Sequence, residues 1–226
     1  MWTEVRLAQP SISEPESRFV LRIVLRVPAD RPTGSALPIA GERTERRDAA
    51  ENRRRILDAA REVLARRGVA GMSMEDVARE AGVGKATVFR RFGDRAGLTQ
   101  ALIVDYMGAF QDAFLFGPPP LGPGAAAADR LEAFLVELVR VHLAHLDLAV
   151  AHDVTPGAAS APVYATLLLH AAILLREVAP DADERVLAGY LISAVAPGVL
   201  LRMREQFDAR PGDLEDAARR LVRGLR

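Results

Sequence analysis

SMEDVAREAGVGKATVFRRF, residues 73 to 92, is the stretch on which the reading of the whole chain turns. Ser73 with Asp76 three residues on is a shortened capping box, the mark of a helix start, and Val77, Ala78 and Ala81 follow at helical spacing. Gly82 to Gly84 stops that helix early, and a second short helix is expected from Lys85 to about Arg91. Two short helices cross closely only where a small residue faces the turn, here Ala78. The sharp connection wants a residue tolerant of positive φ, here Gly82. With Val77, Ala81, Val83 and Val88 closing a small core, Lys85, Thr87, Arg90 and Arg91 remain outside as a donor-rich face able to enter a major groove.

The flanks repeat the helical pattern. From Arg46 the apolar residues Ile56, Ala59, Ala60, Val63 and Leu64 share one face, and Gly68 is the expected stop. Gly93-Asp94 turns the chain into a helix expected from Arg95 to about Phe114, and the Gly/Pro cluster 117 to 124 is the clearest loop. Further helices are expected over about 126–149, 161–178, 183–207 and 213–224, with Pro197-Gly198 bending or breaking the third of these. No run after residue 40 alternates like a strand. The expected fold is therefore all-α, with a three-helix helix-turn-helix unit in front and a larger helical bundle behind. Three segments follow: an N-terminal extension, 1–45, broken by Pro10, Pro15, Pro28, Pro32 and Pro38 and expected to hold little stable structure; a reading unit, 46–95; and a bundle, 96–226.

Composition agrees with a split of labour. The chain is formally neutral, with 30 basic and 30 acidic residues, yet residues 42 to 95 carry 14 basic against 10 acidic groups and residues 96 to 226 carry 11 against 16. A basic front on an acidic body suits contact with a polyanion. The chain has no cysteine, which excludes disulfides, thiolate metal sites and cysteine nucleophiles. The first twenty residues are interrupted by charges and do not read as a secretory signal. The longest stretch free of charged residues, Val154 to Leu175, contains Pro156, Gly157, Pro162 and His170 and reads as a loop and a buried helix rather than a membrane span. The cytoplasm is the expected compartment.

Other chemistries find little support. Gly82-Val83-Gly84-Lys85-Ala86-Thr87 fails as a phosphate loop: Arg79 stands where its first glycine is required, and Ala86 where Ser or Thr should follow the lysine. His142 and His145 are three apart on one helix, and Asp147 or Asp153 could complete a ligand set, but histidines at interfaces and helix ends explain the pattern as well. No metal or other cofactor is expected. No nucleophile elbow, metalloprotease motif or dinucleotide fingerprint appears, so no enzyme is expected.

The longer stretch NRRRILDAAREVLARRGVAGMSMEDVAREAGVGKATVFRRFGDRAGL, residues 52 to 98, resembles the DNA-binding domain of the TetR family over about a fifth of the chain. That family shows an Ile-Leu-x-Ala-Ala start, a glycine after the first helix, a Ser or Thr cap, and Ala-Gly-Val-Ser-x-Gly-Thr-Leu-Tyr-x-His-Phe through the recognition helix. Here Gly84 replaces the serine and removes a side-chain cap, and Ala86 replaces a glycine while still permitting close backbone approach. Phe89 replaces the tyrosine and loses its hydroxyl contact with phosphate. Arg91 and Arg95 replace histidine and lysine and keep the charge. The resemblance implies double-stranded operator DNA as partner. Lys85 and Arg91 would meet phosphates, Thr87 a phosphate or thymine methyl, and Arg90 a base edge. Arg53, Arg95 and the amide end at Ser73 would flank the backbone.

It implies further a homodimer, because a three-helix reader alone covers too little DNA; residues 183 to 225 carry the surplus apolar surface expected of its interface. A small apolar or amphipathic effector would bind within the bundle and release a repressor from its operator, with Tyr106, Met107, Phe110, Phe114, Leu138, His142, Tyr164, Leu168 and His170 as candidate lining residues. The competing reading is a partner-binding helical module, or an enzyme, that carries a helix-turn-helix-like front.

Overall fold

A computed structural model describes residues 40–153 and 162–225, all within one compact unit. Among the described residues there are ten helices and no strand. They are α1 Ala40–Gly71, α2 Met74–Glu80, α3 Lys85–Phe92, α4 Arg95–Phe116, α5 Ala127–Ala144, α6 Leu146–Asp153, α7 Pro162–Val178, α8 Glu184–Ala194, α9 Pro197–Phe207 and α10 Pro211–Arg223. The all-α reading holds. Most of the expected N-terminal extension lies outside the described residues, but α1 begins at Ala40, ahead of the expected Arg46.

The front of the molecule is built as its punctuation demands. Ile56, Ala60 and Val63 of α1, Val77 and Ala78 of α2, Val88 of α3 and Leu98 of α4 are buried together in the core. Gly68 does not end α1 but kinks it, taking φ 67° within the helix so that one more turn reaches Gly71. Ser73 caps α2 by accepting the Asp76 amide at 3.1 Å. Gly82 makes the turn with φ 62°, a conformation that costs an L side chain roughly 1–2 kcal/mol.

Behind it, one helix expected to be continuous is broken, and a second breaks where Pro197-Gly198 was expected to bend or break it. The 126–149 run splits at His145 (φ −129°, ψ 31°) into α5 and α6. The 183–207 run splits at Val195-Ala196, so that Pro197 opens α9 at a first-turn position where its missing N–H costs nothing. The two pieces are bent by 45°. The break would strand the Val195 carbonyl, and His142 Nδ1 of α5 meets it at 2.9 Å. A buried histidine thus closes a helix end.

The C-terminal helix packs on its own chain. Leu214, Ala218 and Val222 of α10 are buried, and the salt bridges Arg140–Glu215 and Arg223–Glu132 tie α10 to α5. The surplus apolar surface expected over 183–225 is therefore narrower than the sequence suggests. It comprises Val186 and Tyr190 of α8, 56% and 74% exposed, with Phe207 of α9 and Leu221 of α10 also exposed, and Ile173 of α7 is 49% exposed. Among the described residues no single helix is long and apolar enough to cross a membrane. The bent pair α8–α9 passes that test only when taken together.

Candidate functional site

The outer face of the helix-turn-helix is carried by α3, whose N-cap is Gly84 with no side-chain cap, as the missing serine requires. Thr87 is half-buried, and Ala86, Phe89, Arg90 and Arg91 are exposed. Arg90 and Arg91 end the helix at Gly93 (φ 79°). Neither arginine has a partner among the described residues, so both guanidinium groups are available to an acceptor.

The remaining cations are already engaged. Lys85 pairs with Glu75 of α2, and its ammonium stands 5.3 Å from the centre of the Phe89 ring. The Lys85 contact also holds the Glu75 carboxyl below its ordinary range. Arg53 lies over the Phe92 ring at 5.7 Å. Arg95 donates to the Ala70 carbonyl at 3.1 Å, joining the start of α4 to the end of α1. Ser73 is committed to its cap and also donates to the Asp76 carboxylate at 2.7 Å, which holds that carboxyl below its usual range. Glu75 and Asp76 both occupy the first turn of α2, so a phosphate at the Ser73 end would face two carboxylates. Sequence reasoning missed Glu75. Its signal was its place beside the cap, on the helix end nearest Lys85.

The nine residues expected to line an effector pocket are all buried or partly buried within the bundle, where they take different neighbours. Tyr106 stacks on His145, ring centres 4.3 Å apart, and burial pushes its hydroxyl up to about 12. This pair sits by a cleft of about 600 Å³ lined by Arg61, Leu64, His145, Leu148 and Arg204, between α1 and the α5–α6 corner. His142 turns to Val195 instead. Met107 and Leu138 are buried, and Tyr164 and Leu168 pack partly buried against the same core.

Phe110, Phe114 and His170 do come together, around a residue the sequence reading overlooked. Phe134 of α5 stacks with Phe110 at 5.3 Å and meets Phe114 edge-on at 5.2 Å. The His170 ring lies 4.3 Å from Phe114 and 4.9 Å from Phe134. Among the described residues no three His, Cys, Asp or Glu side chains converge to hold a metal, and the Asp153 side chain lies outside them.

Residues 56–102, from the core of α1 through α2 and α3 into α4, match the family model described as bacterial regulatory proteins, tetR family. Over those residues the chain resembles that family. An HTH-type transcriptional regulator of Staphylococcus aureus (strain USA300) is 40% identical over 58 residues, which are 26% of this chain and 31% of that protein. The chain thus spans about a third of the length of the curated relatives it matches. Likeness of fold extends further. A TetR/AcrR-family regulator from Thermobifida fusca superposes with TM-score 0.59 at 20% identity, covering 77% of this chain and 96% of that one. FadR from Bacillus subtilis, solved in complex with stearoyl-CoA, gives 0.57 at 18% identity over 76% and 96%. At such identities these structures establish the fold alone: a helix-turn-helix unit followed by a helical bundle.

Proposed function

We propose that this chain is a homodimeric transcriptional repressor of the cytoplasm, bound to double-stranded operator DNA and released by a small apolar or amphipathic effector. The observation that carries the reading is the free pair Arg90 and Arg91 on the outer face of α3, beside Thr87 and the small Ala86, within a tetR-family domain. A face of donors without partners suits an acceptor-rich groove. Arg90 is assigned to a base edge, Arg91 and Lys85 to phosphates, and Thr87 to a phosphate or thymine methyl, with Arg53 and Arg95 beside the backbone on either flank. Ser73 contributes by holding the start of α2.

Dimerisation is assigned to the exposed apolar stripe Ile173, Val186 and Tyr190. Pairing there would present two readers to successive major grooves, about 34 Å apart. That the Bacillus subtilis relative was solved with stearoyl-CoA supports an effector with an apolar part.

The test is salt-titrated binding to an operator selected from a random duplex pool and to a scrambled duplex. Arg90→Ala is expected to cost ~1–3 kcal/mol on the operator alone and relax one position per half-site, whereas Arg91→Ala weakens both duplexes alike and flattens the salt slope by roughly one unit. If neither variant changes binding, the reading fails.

A further inference from the structure

Arg130 of α5 and His170 of α7 each bury a polar nitrogen that has no hydrogen-bond partner among the described residues. His170 is only 7% exposed, and neither its Nε2 nor the Arg130 Nε is paired among the described residues. Arg130 sits one helical turn before Phe134, on the same face of α5, because side chains four apart stack. Phe134 in turn lies 4.9 Å from the His170 ring. The two groups are close enough that the Arg130 charge, second to burial, helps push His170 down to about 4. His170 therefore stays neutral near pH 7.

Burying an unpaired polar group costs free energy, and burying part of a guanidinium without an acceptor costs more, since arginine cannot shed its proton. Elsewhere in this bundle the fold avoids that cost. His142, also buried, is given the Val195 carbonyl. An arginine and a histidine left unpaired beside a Phe110–Phe114–Phe134 cluster are a site that asks for an acceptor of negative charge with an apolar remainder.

We propose that Arg130 and His170 form the polar end of an effector site for an amphipathic anion, its charged head on these two side chains and its apolar part against Phe114 and Phe134. The inference deepens the proposed repressor function and rests on it for its biological meaning, but the site is testable by itself. Arginine supplies the charge. His170, neutral and tilted against the Phe114 and Phe134 rings, orients the head by hydrogen bonding. Carboxylate and phosphate heads share the required chemistry and differ in charge and number of acceptors.

The experiment is calorimetric titration of the full chain, without DNA, with four ten-carbon probes: decanoate, decyl phosphate, 1-decanol and decyltrimethylammonium. Native protein should bind an anionic probe saturably, and which of the two binds more tightly identifies the head. The alcohol and the cation should bind at least about tenfold more weakly. Arg130→Gln should lose that preference while leaving the chain folded, its melting temperature unchanged or raised because an unpaired buried group has gone. Arg130→Lys, which keeps the charge, should retain part of it, and His170→Gln should weaken the anion while keeping the preference for it over the cation. Absence of saturable anion binding, equal binding of alcohol and anion, or an Arg130→Gln protein that is unfolded or binds anions as well as the native chain overturns the proposal. Binding of an anion that leaves a DNA complex intact would keep the site and count against the repressor reading. Release of DNA by a neutral compound, with no anion bound, would do the reverse.

Discussion

The Lys85 ammonium pairs with the Glu75 carboxylate across the turn between α2 and α3, so the lysine at the start of α3 already has a partner of opposite charge. For Lys85 to reach a phosphate it must leave Glu75, and the carboxylate is then left near a polyanion. Glu75→Gln is expected to tighten binding to operator and scrambled duplexes alike and to steepen the salt slope by up to about one unit. Lys85→Ala should then flatten the slope more on the Glu75→Gln background than on the native one, a coupling read from the double-mutant cycle. Equal effects on both backgrounds would mean the pair does not govern DNA affinity.

The bond from His142 to the Val195 carbonyl predicts a stability effect at a distance from the reader. His142→Leu keeps the buried volume but strands a carbonyl at the α8–α9 break, which should cost ~1–3 kcal/mol in urea unfolding. Glutamine, able to donate, should recover part of that loss. Unchanged stability in the leucine variant would show that the break is sealed by something else.

Self-association should depend on α8 rather than on α10. Val186→Glu with Tyr190→Glu puts two charges into the exposed apolar stripe and should halve the mass seen by light scattering without loss of helical signal. Leu221→Glu, on the half-exposed side of α10, should leave the mass unchanged. A double variant that keeps the native mass refutes the assignment of this face.

His170 gives the fold a pH dependence whose sign is fixed. Its folded value, about 4, lies below the ordinary 6.5 because of burial first and Arg130 second. Below pH 6.5 the unfolded chain takes up a proton that the folded chain resists. Stability contributed by the neutral ring is therefore complete above 6.5 and falls as pH drops toward 4, at up to about 1.4 kcal/mol per unit. Urea midpoints measured at pH 7.0, 6.0 and 5.0 should decline less in His170→Gln than in the native protein. Parallel declines would place the effect elsewhere.

What the sequence makes legible is local. Ser73 before Asp76 and the positive φ of Gly82 follow from side-chain reach and backbone sterics within a few residues. Phe89 and Gly84 carry their altered roles openly for the same reason. The break at Val195 is announced by Pro197, but the one at His145 is different: nothing in HLAHLDL distinguishes a helix from two helices, because that break is settled by how α5 and α6 pack against other elements. The pairings among the candidate pocket residues were hidden for a related reason. Helical periodicity says which residues face inward, but not that Tyr106 faces His145 while Phe114 faces His170. Arg130 was invisible as a buried group, since arginine on an amphipathic helix ordinarily reaches for water.

Helix α4 runs unbroken for 22 residues, Arg95–Phe116, with Arg95 at one end holding the end of α1 and Phe114 near the other touching His170. Arg61 of α1 grips it again at Asp105. A rod of this length measures about 33 Å, so a tilt of roughly 5° about one end swings the other by about 3 Å. Held near its middle by Arg61 instead, the rod tilts as a seesaw, and a displacement among the phenylalanines reappears at the Arg95 end at similar size and in the opposite sense.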